Sequence, residues 1–157
     1  MNLGGEAGSG ATVVNFTHRP GAADPLRDGA ETQYDLTTGR RRFAEAEFST
    51  FNDQLKDTSF YELYQKLPFA VGRMRVRSLA PGKVMTMHAD TSPRAHVALA
   101  TNPFCYLTTA SGQMHHVPAD GNVYVFDTRL EHTAFNASEQ PRLQLAIALA
   151  DQETRIA

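Results

Sequence analysis

Tryptophan is absent from this chain of 157 residues, cysteine occurs once and lysine only three times. A lone thiol, Cys105, cannot close an internal disulfide. The first ten residues, MNLGGEAGSG, have neither the basic start nor the apolar stretch of a secretory signal, so a reducing cytoplasm is the expected location. No apolar run approaches the roughly 18 residues that span a bilayer, which argues against an integral membrane role. An excess of one charge is missing as well: fifteen Lys plus Arg against seventeen Asp plus Glu give a formal charge of -2. Nothing marks the whole surface for nucleic acid or an anionic membrane, so any charge-driven function has to be local.

What the chain does contain is the mix of a packed globular domain, with 41% hydrophobic and 20% charged residues. Twelve of the fifteen basic residues are arginine. The planar arginine fork suits carboxylates and phosphates, although a GC-rich genome produces the same bias, and position has to decide between the two.

Residues 1–10 are Gly-rich and read as a flexible tail, and 11–157 as one domain. A short strand is expected at Thr12 to Phe16, followed by turn chemistry around Arg19, Pro20 and Gly21. Phe48, Phe51 and Leu55, then Phe60, Leu63, Tyr64 and Leu67, recur at helical spacing, which predicts two short helices within about 43–67. Ser59 and Glu62 form a capping-box pattern at the second, and Pro68 closes it. From there the pattern changes to short runs separated by turns, predicting strands near 69–79, 84–89, 94–101, 104–109, 113–117, 122–127, 132–137 and 142–150. Eight strands with no helix between them predict a mainly β fold, a double-stranded β-helix of jelly-roll or cupin type. Its barrel core covers about 69–150, and the N-terminal helices pack on one face.

His88-Ala89-Asp90 stands at the end of a predicted strand, where residues i and i+2 face one side. Imidazole and carboxylate then point together toward the barrel mouth, as two legs of a 2-His-1-carboxylate triad for Fe(II). His132, 44 residues later, returns beside His88 in an eight-strand roll and can complete the set. Either histidine alone reads equally as a hydrogen-bonded or surface residue; the joint pattern points to a metal. Arg142 opens the last strand, where Leu143, Leu145, Ile147 and Leu149 form an apolar face. The opposite face carries Arg142 toward the cavity, where a guanidinium needs an anionic partner. Arg73, Arg75 and Arg77 share one face of the first barrel strand. Turned outward they are a solvated stripe; turned inward they select an acidic substrate. Arg129, on the loop before His132, is either a further substrate contact at the mouth or a plain surface charge. Cys105 reads as a small buried hydrophobe.

Taken in order, Leu79-Ala80-Pro81-Gly82, His88-Ala89-Asp90, Arg94-Ala95-His96, Val125-Phe126-Asp127, Glu131-His132 and Arg142 resemble the aspartyl/asparaginyl β-hydroxylase family of Fe(II)- and 2-oxoglutarate-dependent oxygenases. The resemblance covers about half of the chain. It implies that His88 and His132 bind iron, with Asp90 as the carboxylate that many bacterial members carry. It implies that Arg142 grips one carboxylate of 2-oxoglutarate, that Arg94 and His96 contact the other or the region beside it, and that Arg77 lies close by. The implied reaction is a dioxygenase one: O2 and 2-oxoglutarate are consumed, succinate and CO2 are released, and a C–H bond of a small amino-acid or peptide substrate is hydroxylated. Two other readings compete. One is a cupin-type metalloenzyme with the same three ligands and no 2-oxoglutarate, and the other is a non-catalytic ligand-binding barrel.

Overall fold

A computed structural model describes residues 11–29, 35 and 37–154; the tail expected over 1–10 lies outside them. Before Pro68 the described elements are β1 (Ala11–Asn15), β2 (Thr17–His18), α1 (Pro25–Asp28), β3 (Thr50–Phe51) and α2 (Ser59–Lys66). After it come β4 (Val71–Leu79), β5 (Lys83–Val84), β6 (Arg94–Ala100), β7 (Cys105–Thr109), β8 (Met114–His115), β9 (Tyr124–Phe126), β10 (His132–Asn136) and β11 (Arg142–Leu149). Seven of these last eight fall within the runs that alternation and turn residues outline, and β5 overlaps its run only at Val84. β5 is shorter than the expected 84–89, and His88 instead makes an isolated bridge with His132.

The strands form two larger antiparallel sheets, in the orders β1-β4-β11-β6-β9 and β5-β10-β7-β8, and a two-stranded one of β2 and β3. From β4 onward the chain steps repeatedly from one sheet to the other, which is the winding of a double-stranded β-helix. β1 adds an outer strand to the first sheet by pairing with β4, so the poorly punctuated N-terminal stretch contributes to the barrel wall.

Only half of the helical expectation over 43–67 is met. α2 forms and ends before Pro68, but Thr58 occupies the cap position, and its hydroxyl donates to the Leu55 carbonyl rather than to the helix. The capping box read at Ser59 is therefore not built. Residues 45–47 and 53–55 are single 3-10 turns, and Thr50–Phe51 between them pairs with Thr17–His18. Backbone pairing with β2 overrides the apolar spacing, and Asn52 stops any continuation by accepting from the Gln54 N–H.

Alternation along β11 sends Leu145, Ile147 and Leu149 outward from the barrel. There they meet Met74 and Val76 of β4, Ala95 and Val97 of β6, and Phe16 and Phe51. Phe60, Tyr61, Leu63, Tyr64 and Leu67, from α2 and the residue after it, cover this layer. The hydrophobic core thus lies between the five-stranded sheet and the N-terminal segment. Among the described residues no helix is long and apolar enough to cross a membrane.

Leu145 is completely buried in this layer, so Leu145→Ala is expected to cost about 2–5 kcal/mol in urea unfolding. Val84→Ala on the exposed edge should stay within about 0.5 kcal/mol.

Candidate metal centre

β5 leads into His88 and β10 begins at His132, and the two residues exchange both backbone hydrogen bonds, at 3.0 and 2.9 Å. Residues directly opposite in an antiparallel pair present their side chains to one face. The two rings accordingly lie with centroids 4.5 Å apart. Asp90 follows two residues after His88, its N–H held by the Thr128 carbonyl at 2.8 Å. One ligand atom from each of His88, Asp90 and His132 lies within 4.8 Å of the other two. The Nε2 atoms of His88 and His132 stand 4.0 and 3.6 Å from the two Asp90 oxygens.

Protonation is arranged to match. Nδ1 of His88 lies 2.7 Å from the Thr86 carbonyl and Nδ1 of His132 lies 2.9 Å from that of Leu130. A carbonyl can only accept, so both Nδ1 atoms carry the proton and both Nε2 lone pairs are left for a metal. Burial lowers the pKa of His132 and keeps it neutral. Burial would raise the Asp90 pKa, but the Arg94 guanidinium outweighs it and holds the carboxyl well below the usual carboxylate range. Two imidazole nitrogens and one ionised carboxylate gathered so closely could hold a metal ion.

The inner face of the five-stranded sheet extends the site. Register aligns Arg94, His96 and Ala98 of β6 with Ala148, Ala146 and Gln144 of β11. It aligns Ala146 and Gln144 in turn with Arg75 and Arg77 of β4. All of these share one face, opposite the apolar core, so Arg75 and Arg77 point inward, and Arg73 is buried beside Glu45; the stripe is not a solvated one. Arg142 lies on the same face and is buried. Its charged form is disfavoured by burial, and among the described residues no carboxylate offsets that. Burial, with Arg77 and Arg73 beside it, likewise pushes Arg75 down. Both ring nitrogens of His96 and Nε2 of Gln144 are buried without a hydrogen-bond partner. Orphaned polar atoms and the Arg142 guanidinium, which no described carboxylate offsets, are what a bound anion would satisfy.

Arg94 donates from Nε and Nη2 to Asp90, at 3.1 and 3.0 Å, and from Nη2 to Glu45 at 2.8 Å. Its guanidinium thereby orients the Asp90 carboxylate. Arg129 is exposed and paired with Asp127 through contacts of 2.7 and 2.8 Å, so it is a surface ion pair and not part of the interior. Glu45 was missed altogether. Its 3-10 turn lay in a stretch read as helix, and nothing local distinguishes an acidic residue on such a stretch from a solvated one. Cys105 is buried, with its thiol donating to Asn136 Oδ1 at 3.2 Å, as a small core residue would be.

A sequence profile of the aspartyl/asparaginyl β-hydroxylase family matches residues 34–151. No curated protein matches the sequence. Among solved structures, a cupin domain from Bordetella pertussis is 18% identical, with 54% of this chain and 86% of that one covered and a TM-score of 0.42. A double-stranded β-helix protein from Klebsiella pneumoniae is 15% identical over 54% and 77% of the two chains, with a TM-score of 0.41. A predicted oxalate decarboxylase from Thermotoga maritima is 17% identical over 59% and 75%, with a TM-score of 0.42.

Burial, with Arg142 and Arg94 nearby, pushes His96 from 6.5 down to about 3. The folded protein therefore leaves His96 neutral where the unfolded chain takes up a proton. Stability from this group is complete above about pH 6.5 and falls on acidification, by up to about 1.4 kcal/mol per pH unit. Urea unfolding between pH 7 and pH 5 should show this slope, and His96→Gln should remove its share; an unchanged slope would show that His96 titrates normally.

Proposed function

The chain belongs to the aspartyl/asparaginyl β-hydroxylase family, and from that premise we propose that it is an Fe(II)- and 2-oxoglutarate-dependent oxygenase. Its proposed substrate is an amino acid, free or within a peptide, that carries an additional carboxylate. The observation that carries this reading is the convergence of two Nε2 lone pairs and one ionised carboxylate in a barrel that also buries Arg142, which no carboxylate among the described residues offsets. Iron at this site supplies the activation of O2 that couples oxidative decarboxylation of 2-oxoglutarate to C–H hydroxylation.

The residues of the chain perform the rest. His88, Asp90 and His132 would hold the metal. Arg142 would neutralise and orient one carboxylate of 2-oxoglutarate. His96 stays neutral and offers one N–H from the same wall. Arg75 and Arg77, with Arg73 beside Glu45, add positive charge to the same wall, and in this proposal that charge favours a substrate with a side-chain carboxylate.

Anaerobic titration with Fe(II) and 2-oxoglutarate should give the weak visible charge-transfer band of a bidentate complex. Arg142→Ala should raise the 2-oxoglutarate concentration needed by about 30-fold or more, since truncating a buried charge partner costs about 2–5 kcal/mol. A cupin-type enzyme that does not use 2-oxoglutarate would show no band, and Arg142→Ala would change little. In a succinate-release screen, acidic amino acids and short acidic peptides should exceed neutral ones by about tenfold or more. Equal turnover of neutral substrates would remove the acidic-substrate part of the proposal.

A further inference from the structure

Glu45 enters the barrel end from the N-terminal segment, outside the eight strands that build the β-helix. Its side chain has no exposure at all, and a carboxylate so placed must be paired. Oε1 accepts from Arg94 Nη2 at 2.8 Å and Oε2 lies 3.8 Å from Arg73 Nε. Burial opposes its charge, but Arg94 and Arg73 prevail and hold it ionised.

Two features fix this residue in place. A Cβ at Gly72 would lie 2.6 Å from the Glu45 carbonyl oxygen, so only glycine lets the turn approach β4 so closely. The Glu153 carboxylate accepts from the N–H groups of Glu45 and Ala46, at 2.9 and 3.1 Å, and from the Thr91 hydroxyl at 3.0 Å. Arg41 pairs with the same carboxylate. One anion therefore ties the Glu45 turn to the residue that follows Asp90.

Arg94 stands between two carboxylates, and its Nη2 reaches both. Asp90 and Glu45 balance Arg94 and Arg73 beside the metal site. Without Glu45 the set carries an excess positive charge, and Arg94 and a dication compete for the same Asp90 oxygens. We propose that Glu45 is a positioning residue for the metal centre: by drawing on the Arg94 guanidinium it leaves Asp90 oriented and charged enough to bind a divalent cation. This rests on the metal-binding reading above and assigns a part of that function to the N-terminal segment.

The test is calorimetric titration of the metal-free, folded protein with Mn(II), which needs no turnover. The wild type should bind one equivalent. Glu45→Gln should weaken Mn(II) by about 10- to 100-fold, the usual range for losing an outer partner of a metal ligand. Its effect should shrink to about twofold or less in an Arg94→Gln background, because Glu45 acts through Arg94. If Glu45→Gln does not fold, Glu45→Asp serves instead; it keeps the charge, withdraws it by one methylene, and should also weaken Mn(II), by about threefold or more. Wild-type-like affinity in the folded Glu45 variant, or an undiminished effect without Arg94, would overturn the inference while leaving the metal centre intact. A wild type that binds no Mn(II) would overturn the metal reading and the inference with it.

Discussion

A β-helix lined by arginine on its inner face cannot take its hydrophobic core from inside the barrel. Arg73, Arg75, Arg77, Arg94 and Arg142 all belong to the inward face of the five-stranded sheet, and their alternate neighbours supply the apolar layer outside. That layer needs a cover. Phe16, Phe51 and the apolar side of α2 provide it, so the N-terminal segment is an obligatory half of the core. Once the core is external, the interior is released from the demand for apolar packing and can hold charge, provided that the charge is balanced.

Among the described residues, Asp90 and Glu45 are the carboxylates paired with Arg94 and Arg73, and Gln144, opposite Arg77 in register and two positions after Arg142, has an unpartnered amide nitrogen. An interior so arranged suits a dicarboxylate with a second acid beside it, which joins the fold to the proposed chemistry. The metal ligands depend on a separate and more local device. Backbone exchange between His88 and His132 aligns the two rings, and a carbonyl two residues before each selects its tautomer.

Period-two patterning made the barrel legible. Arg142 to Leu149 alternates large apolar residues with polar and small ones over its whole length, and turn dipeptides such as Pro81-Gly82 and Ser111-Gly112 mark where neighbouring runs stop. The His-x-Asp pair and His132 were legible for the same reason, since each sits at a strand edge whose facing is set by parity. The stretch from Phe43 to Leu55 was not. Its apolar residues have helical spacing, yet their partners are on β2 and on the outer sheet face, and a local pattern cannot record a pairing with residues more than thirty positions away.

By itself the sequence determined the mainly β winding, the three candidate metal ligands and the parity that groups the arginines, because these are properties of short periods along one chain. Which side of the sheet faced inward was decided only by the tertiary structure. Parity states that Arg73, Arg75 and Arg77 share a face but not which face the N-terminal layer will cover. The same holds for Arg94 and Glu45, whose meeting spans 49 positions. A charge network is a statement about distances in space, and only the packed fold supplies those distances.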